Sequence, residues 1–113
     1  MSGRAEGLKR LKPALTVSLT LYSTEQGGRT QPILPGWGCP CFGDSENGWW
    51  DGYPMLGDEP MYPGETRVTG YSFLSGDEAA AALSRTPKFY LWEGRAIGEA
   101  EVITSLGTEY GAV

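Results

Sequence analysis

Residues 15 to 21 read Leu-Thr-Val-Ser-Leu-Thr-Leu, an unbroken alternation of apolar and polar side chains. A strand points successive side chains to opposite faces, so Leu15, Val17, Leu19 and Leu21 share one face and Thr16, Ser18 and Thr20 the other. Such a strand buries one side, wets the other and needs partners of its own kind. The rest of the chain offers them only in short pieces. Seventeen glycines and eight prolines punctuate 113 residues, and Val, Thr, Tyr and Trp fill the stretches between. That mixture favours many short strands over long helices.

The turn signals order the remaining elements. Gly27-Gly28 opens a loop, and residues 29 to 38, with Pro32, Pro35 and two glycines, continue it. Gly38 to Gly43 is expected as a short strand with Phe42 inward. Asn47-Gly48 is a hairpin signal ahead of Trp49, Trp50 and Tyr53. Residues 54 to 64 hold three prolines and two glycines and finish in a Pro63-Gly64 turn. Glu65 to Leu74 alternates, and placing Val68 on the face of Tyr71 and Phe73 requires a bulge near Gly70. Gly76 to Arg85 is the sole helical candidate, capped by Asp77, built on Ala79 to Leu83 and stopped by Pro87. Lys88 to Trp92 and Ala96 to Ser105 pair about a Glu93-Gly94-Arg95 turn, with Val102 near the core. The expected fold is all-β: a small six-stranded antiparallel barrel with one short helix inserted near 77–84. The barrel occupies 14–105, preceded by a flexible basic arm, 1–13, and followed by a C-terminal tail, 106–113.

Charge is unevenly spread. Residues 1 to 12 carry Arg4, Lys9, Arg10 and Lys12 against Glu6, whereas the other 101 residues carry five bases and thirteen acids. Between Asp44 and Glu65 there are six acids and no base. A body of this sign repels phosphate, which disfavours RNA and points to a protein partner, a basic one by complementarity. No apolar run resembles a signal peptide or a membrane span, so a cytoplasmic protein with no membrane partner is expected.

Catalysis and metal binding find little in the composition. The chain has no histidine, which excludes Ser/His and Cys/His pairs. Its two cysteines form Cys39-Pro40-Cys41, too few for a zinc site and too close for a relaxed disulfide, and are expected free and reduced. No catalytic residue, metal ligand or cofactor is expected, and the chain is read as no enzyme.

Four segments, taken in order, resemble the third domain of elongation factor Tu, itself a small β-barrel. Gln26-Gly27-Gly28-Arg29 is similar to that family's Glu-Gly-Gly-Arg loop. Gly36-Trp37-Gly38-Cys39-Pro40-Cys41-Phe42 resembles its Gly-Tyr-Arg-Pro-x-Phe segment, with one extra residue and no arginine. Tyr62-Pro63-Gly64-Glu65 resembles its Met-Pro-Gly-Asp turn. Phe89 to Val102, containing Glu93-Gly94-Arg95, resembles its closing hairpin with one glycine fewer and Ala100 in place of another. The likeness runs from about Leu15 to Thr104. It implies the barrel, and it implies that Arg29 would inherit a contact with the T-arm backbone of tRNA. Thr30 stands where the family has histidine, residues 43 to 61 have no counterpart, and no Gly-x-x-x-x-Gly-Lys-Ser/Thr loop exists to handle GTP.

Two groups of side chains are therefore singled out. Trp49, Trp50, Tyr53 and Asp51 form the expected partner-binding region. Adjacent tryptophans in a strand face opposite ways, so one is either exposed as an interface anchor or covered by loop 54–63. Arg29, Thr30 and Arg95 form the expected RNA- or phosphate-binding group. The competing reading has Arg29 bracing its loop against carbonyls or against Glu25 or Glu93. The functional expectation is a non-enzymatic binding module for a protein partner, for instance an immunity- or antitoxin-type protein that neutralises a basic nuclease. The alternative is a translation-linked tRNA or RNA accessory using Arg29 and the basic arm.

Overall fold

Leu15, Val17, Leu19 and Leu21 are all but fully buried, and the residues between them are not, as the alternation requires. They lie on β1 (Leu15–Leu21) in a computed structural model that describes residues 3–105. The expected tail, 106–113, lies outside the described residues. The other strands are β2 (Cys39–Phe42), β3 (Trp49–Met55), β4 (Thr66–Phe73), β5 (Lys88–Trp92) and β6 (Ala96–Ser105). They close into a barrel in the order β1-β4-β3-β2-β5-β6, with every neighbouring pair antiparallel. Closure leaves no free sheet edge among these strands.

Every inward face feeds one core. Tyr71 and Phe73 of β4 meet Phe89 of β5 with ring centroids 5.3 to 6.0 Å apart, and the Cys41 thiol lies 3.6 Å from the Tyr71 hydroxyl. The expected helix forms as α2 (Asp77–Leu83) and sinks Ala79, Ala80 and Leu83 into that cluster, with Ala82 buried beside them. The Tyr62–Glu65 turn forms as read, its ends joined by a 3.0 Å backbone hydrogen bond. Gly64 there has φ +91, a conformation that costs glycine nothing. Arg67 braces the loop before this turn by donating to the carbonyls of Glu59 and Pro60 while pairing with Glu65 at 2.7 Å.

Three local expectations change. Phe42 faces outward, because Cys39 and Cys41 take the inward positions of β2. β4 pairs with β1 in unbroken register through Gly70, so Val68 is exposed and Thr69 points inward. The Thr69 hydroxyl satisfies itself by donating to the Met55 carbonyl at 2.8 Å, which makes an inward threonine acceptable where the sequence pattern favoured valine. The irregularities sit on β6 instead, where Ile97 and Ile103 are the extra residues at its register shifts against β5 and β1. At the other end of the chain, a short helix α1 (Gly3–Lys9) forms within the arm and buries Leu8.

Candidate functional site: an aromatic face on the barrel wall

Alternation decides which residues of β3 reach solvent. Gly52 and Pro54 are buried and Trp50 packs against the core, so Trp49, Asp51 and Tyr53 point outward. The same parity on β2 sends Pro40 and Phe42 outward, and on β5 it sends Tyr90 and Trp92 outward opposite buried Phe89 and Leu91. Pairing then brings these residues together. Phe42 lies opposite Trp49 on one side and Tyr90 on the other, and Tyr90 lies opposite Glu99. The Phe42 and Trp49 rings are 4.6 Å apart, and Trp92 meets Trp49 edge-to-face at 5.6 Å. Trp49 keeps 52 % of its surface exposed and Trp92 38 %.

The expected partner-binding residues are thus divided. Trp49 and Asp51 belong to this face. Trp50 turns inward and its indole N–H donates to the Asn47 carbonyl at 2.6 Å. Tyr53 points outward but lies under Arg4 of α1, whose guanidinium carbon is 4.9 Å from the ring centre. Phe42, Tyr90 and Trp92 were not singled out from sequence. The alternation of Lys88 to Trp92 contains the signal for two of them, but nothing local says that β5 lies beside β2.

Ionic pairs border the face. Glu99 accepts from the Tyr22 hydroxyl at 3.0 Å and from Lys88 at 3.1 Å. The Lys88 ammonium, helped by Tyr22, holds the Glu99 carboxyl below the usual carboxylate range. Burial, reinforced by Glu99, pushes Tyr22 up to about 12. Asp51 is exposed beside the aromatics, and Asp44 and Glu46 are exposed in the hairpin leading to Trp49.

Arg29, Thr30 and Arg95 gather elsewhere, around a shallow hollow of about 300 Å³ shared with Gln31 and Glu93. Arg29 donates to both oxygens of Glu93 at 2.7 Å, to the Gln31 carbonyl at 3.1 Å and to the Pro32 carbonyl at 3.4 Å. Trp37 closes the group: its indole N–H reaches Glu93 at 3.3 Å and its ring lies 5.6 Å from the Arg29 guanidinium. Arg95 donates to the carbonyls of Gly27 and Gly28 at 2.6 and 3.2 Å. Both arginines hold the loop that follows β1, and Thr30 is exposed at its tip.

Compared with known protein families, the chain matches none, and no curated protein matches it either. Among the described residues no group of three or more His, Cys, Asp or Glu side chains is placed to hold a metal ion. No described helix is long and apolar enough to cross a membrane.

Proposed function

We propose that this protein is a non-enzymatic binding module, built on a barrel like the third domain of elongation factor Tu, that engages a basic protein partner through the Phe42–Trp49–Trp92 face. The observation that carries this reading is the exposure of two mutually packed tryptophans on a rigid sheet wall. Large aromatic side chains fixed in place lose little entropy on docking and supply most of the binding energy at protein interfaces. Asp44, Glu46 and Asp51 around them suit lysines and arginines on the partner, and an arginine can also stack on an indole. An immunity- or antitoxin-type role against a basic nuclease fits the same chemistry.

A tRNA- or RNA-binding role would work through Arg29 and the basic arm. The donors of Arg29 are directed at Glu93 and at loop carbonyls. Arg4 and Lys9 of the arm are directed at Gly36, Tyr53, Glu6 and Asp58. Arg29, Arg4 and Lys9 are engaged within the chain, which weighs for a protein partner, while Arg10 and Lys12 of the arm stay exposed. The test is affinity capture from the source cells after RNase, using wild type and a Trp49→Ala/Trp92→Ala variant. The reading expects a basic protein retained by wild type and lost from the variant. Capture of RNA alone, abolished by Arg29→Ala and by moderate salt, would replace it with the tRNA reading.

A further inference from the structure

Four of the nine basic residues lie in residues 1–12, and the segment carrying them folds onto the acid-rich middle of the chain. α1 rests in a groove whose floor is Tyr53, Met55 and Leu56 and whose walls are the Pro35-Gly36 turn and Leu74. Leu8 is its one buried residue, Arg4 donates to the Gly36 carbonyl at 3.1 Å while lying over Tyr53, and Lys9 pairs with Asp58.

The fit is incomplete. Hollows of about 260 and 470 Å³ flank the helix, one beside Ala5 and the other beside Gly7. Apart from its chain neighbours and the backbone of its own helix, a methyl group added at Gly7 would meet no atom within 4 Å. Leu11 and Leu74 remain more than half exposed at the mouth of the larger hollow. Seven residues with two glycines cannot sustain a helix in water, so α1 owes its shape to the groove.

We infer that this groove is a docking site for a basic amphipathic helix of a partner protein, and that α1 is its resident competitor. The seated helix displays the chemistry the groove accepts: an arginine over Tyr53, a leucine one turn later in the apolar floor, and a lysine against Asp58. A partner helix with larger side chains at the positions of Ala5 and Gly7 fills both hollows and displaces α1. The inference does not depend on the aromatic face.

The test is a titration of the full chain, followed by amide chemical shifts, with a synthetic peptide of residues 1–12 as probe. It is run on wild type, on Leu8→Asp and on Lys9→Glu, two substitutions that loosen the tethered helix by different routes. In wild type the tethered helix competes at a high effective concentration. The expected result is at least tenfold tighter binding to both variants, with shifts at Tyr53, Leu56, Gly57 and Leu74. A peptide carrying Gly7→Leu should bind roughly tenfold tighter than the parent peptide, and adding Asp58→Lys to the Leu8→Asp protein, where the tethered helix is already loosened, should weaken binding of the parent peptide. Equal affinity for wild type and both variants, or no binding to any of them at millimolar peptide, would overturn the proposal.

Discussion

Arg29 places one nitrogen 2.7 Å from each carboxylate oxygen of Glu93, joining two loops that lie 64 residues apart in sequence. The pair fastens the loop after β1 to the β5–β6 turn, and Arg95 returns the connection from the second loop to the first. The pair is partly exposed, so solvent weakens its worth. Glu93→Gln should lower stability by about 1 kcal/mol in urea denaturation, the scale of a charge-assisted hydrogen bond. Arg29→Lys should lose a similar amount despite keeping the charge, because a lysine cannot reach Glu93 and two carbonyls at once.

The two adjacent tryptophans should separate binding from stability. Trp50→Ala removes an indole packed on the core and its bond to Asn47, and should cost about 2–3 kcal/mol. Trp49→Ala removes a half-exposed ring and should cost about 1 kcal/mol or less while weakening partner binding at least tenfold. Denaturation midpoints and a titration with the captured partner measure the two effects.

Gly28 offers a backbone test. A Cβ there would collide with the Tyr22 carbonyl, a main-chain group that cannot swing aside. Gly28→Ala should therefore destabilise by about 1–3 kcal/mol and disturb the carbonyl that Arg95 grips. Gly3→Ala, where an added methyl meets nothing, is the matched control.

The Tyr22–Glu99–Lys88 cluster gives stability a pH signature. Tyr22 titrates higher folded than unfolded, so its contribution is complete below pH 10 and is lost as pH climbs toward about 12. Glu99 titrates lower folded than unfolded, so its contribution is present above pH 4.5 and is lost as pH falls below that. Urea midpoints across pH should fall at both ends. Tyr22→Phe should make the alkaline limb shallower, leaving the part owed to buried Cys41 and Tyr71, and Glu99→Gln should make the acid limb shallower, leaving the part owed to Asp44 and Glu65.

Cys41 is fully buried, and burial pushes its thiol well above the ordinary range. A thiol reagent at neutral pH should label it only as fast as the barrel opens. The labelling rate should rise with denaturant in step with global unfolding.

Those elements show what the sequence made readable. β1 was legible because alternation is a local signal and one face of that strand is buried throughout. The Asn47-Gly48, Pro63-Gly64 and Gly94 turns were legible because each needs a conformation few residues tolerate. The orientation of Phe42 was misread because aromatic bulk suggests a core, whereas Cys39 and Cys41 fill the inward positions of β2. The Gly70 bulge was misread because Val68 looks like core and Thr69 does not; a carbonyl partner across the sheet reverses that ranking. α1 escaped notice because its helicity comes from a distant groove. The aromatic face was half legible: Trp49 and Asp51 follow from parity on one strand, Phe42 lies opposite Trp49 in the β2–β3 hairpin but was expected inward, and Tyr90 and Trp92 join them only through the non-consecutive pairing of β2 with β5.

The most direct measurement is hydrogen exchange on the protein with its captured partner bound. The account predicts new protection at residues 40–42, 49–51 and 90–92, with residues 27–31 and 93–97 unchanged. Protection confined to 27–31 and 93–97, with the tryptophan face exchanging as before, would contradict it.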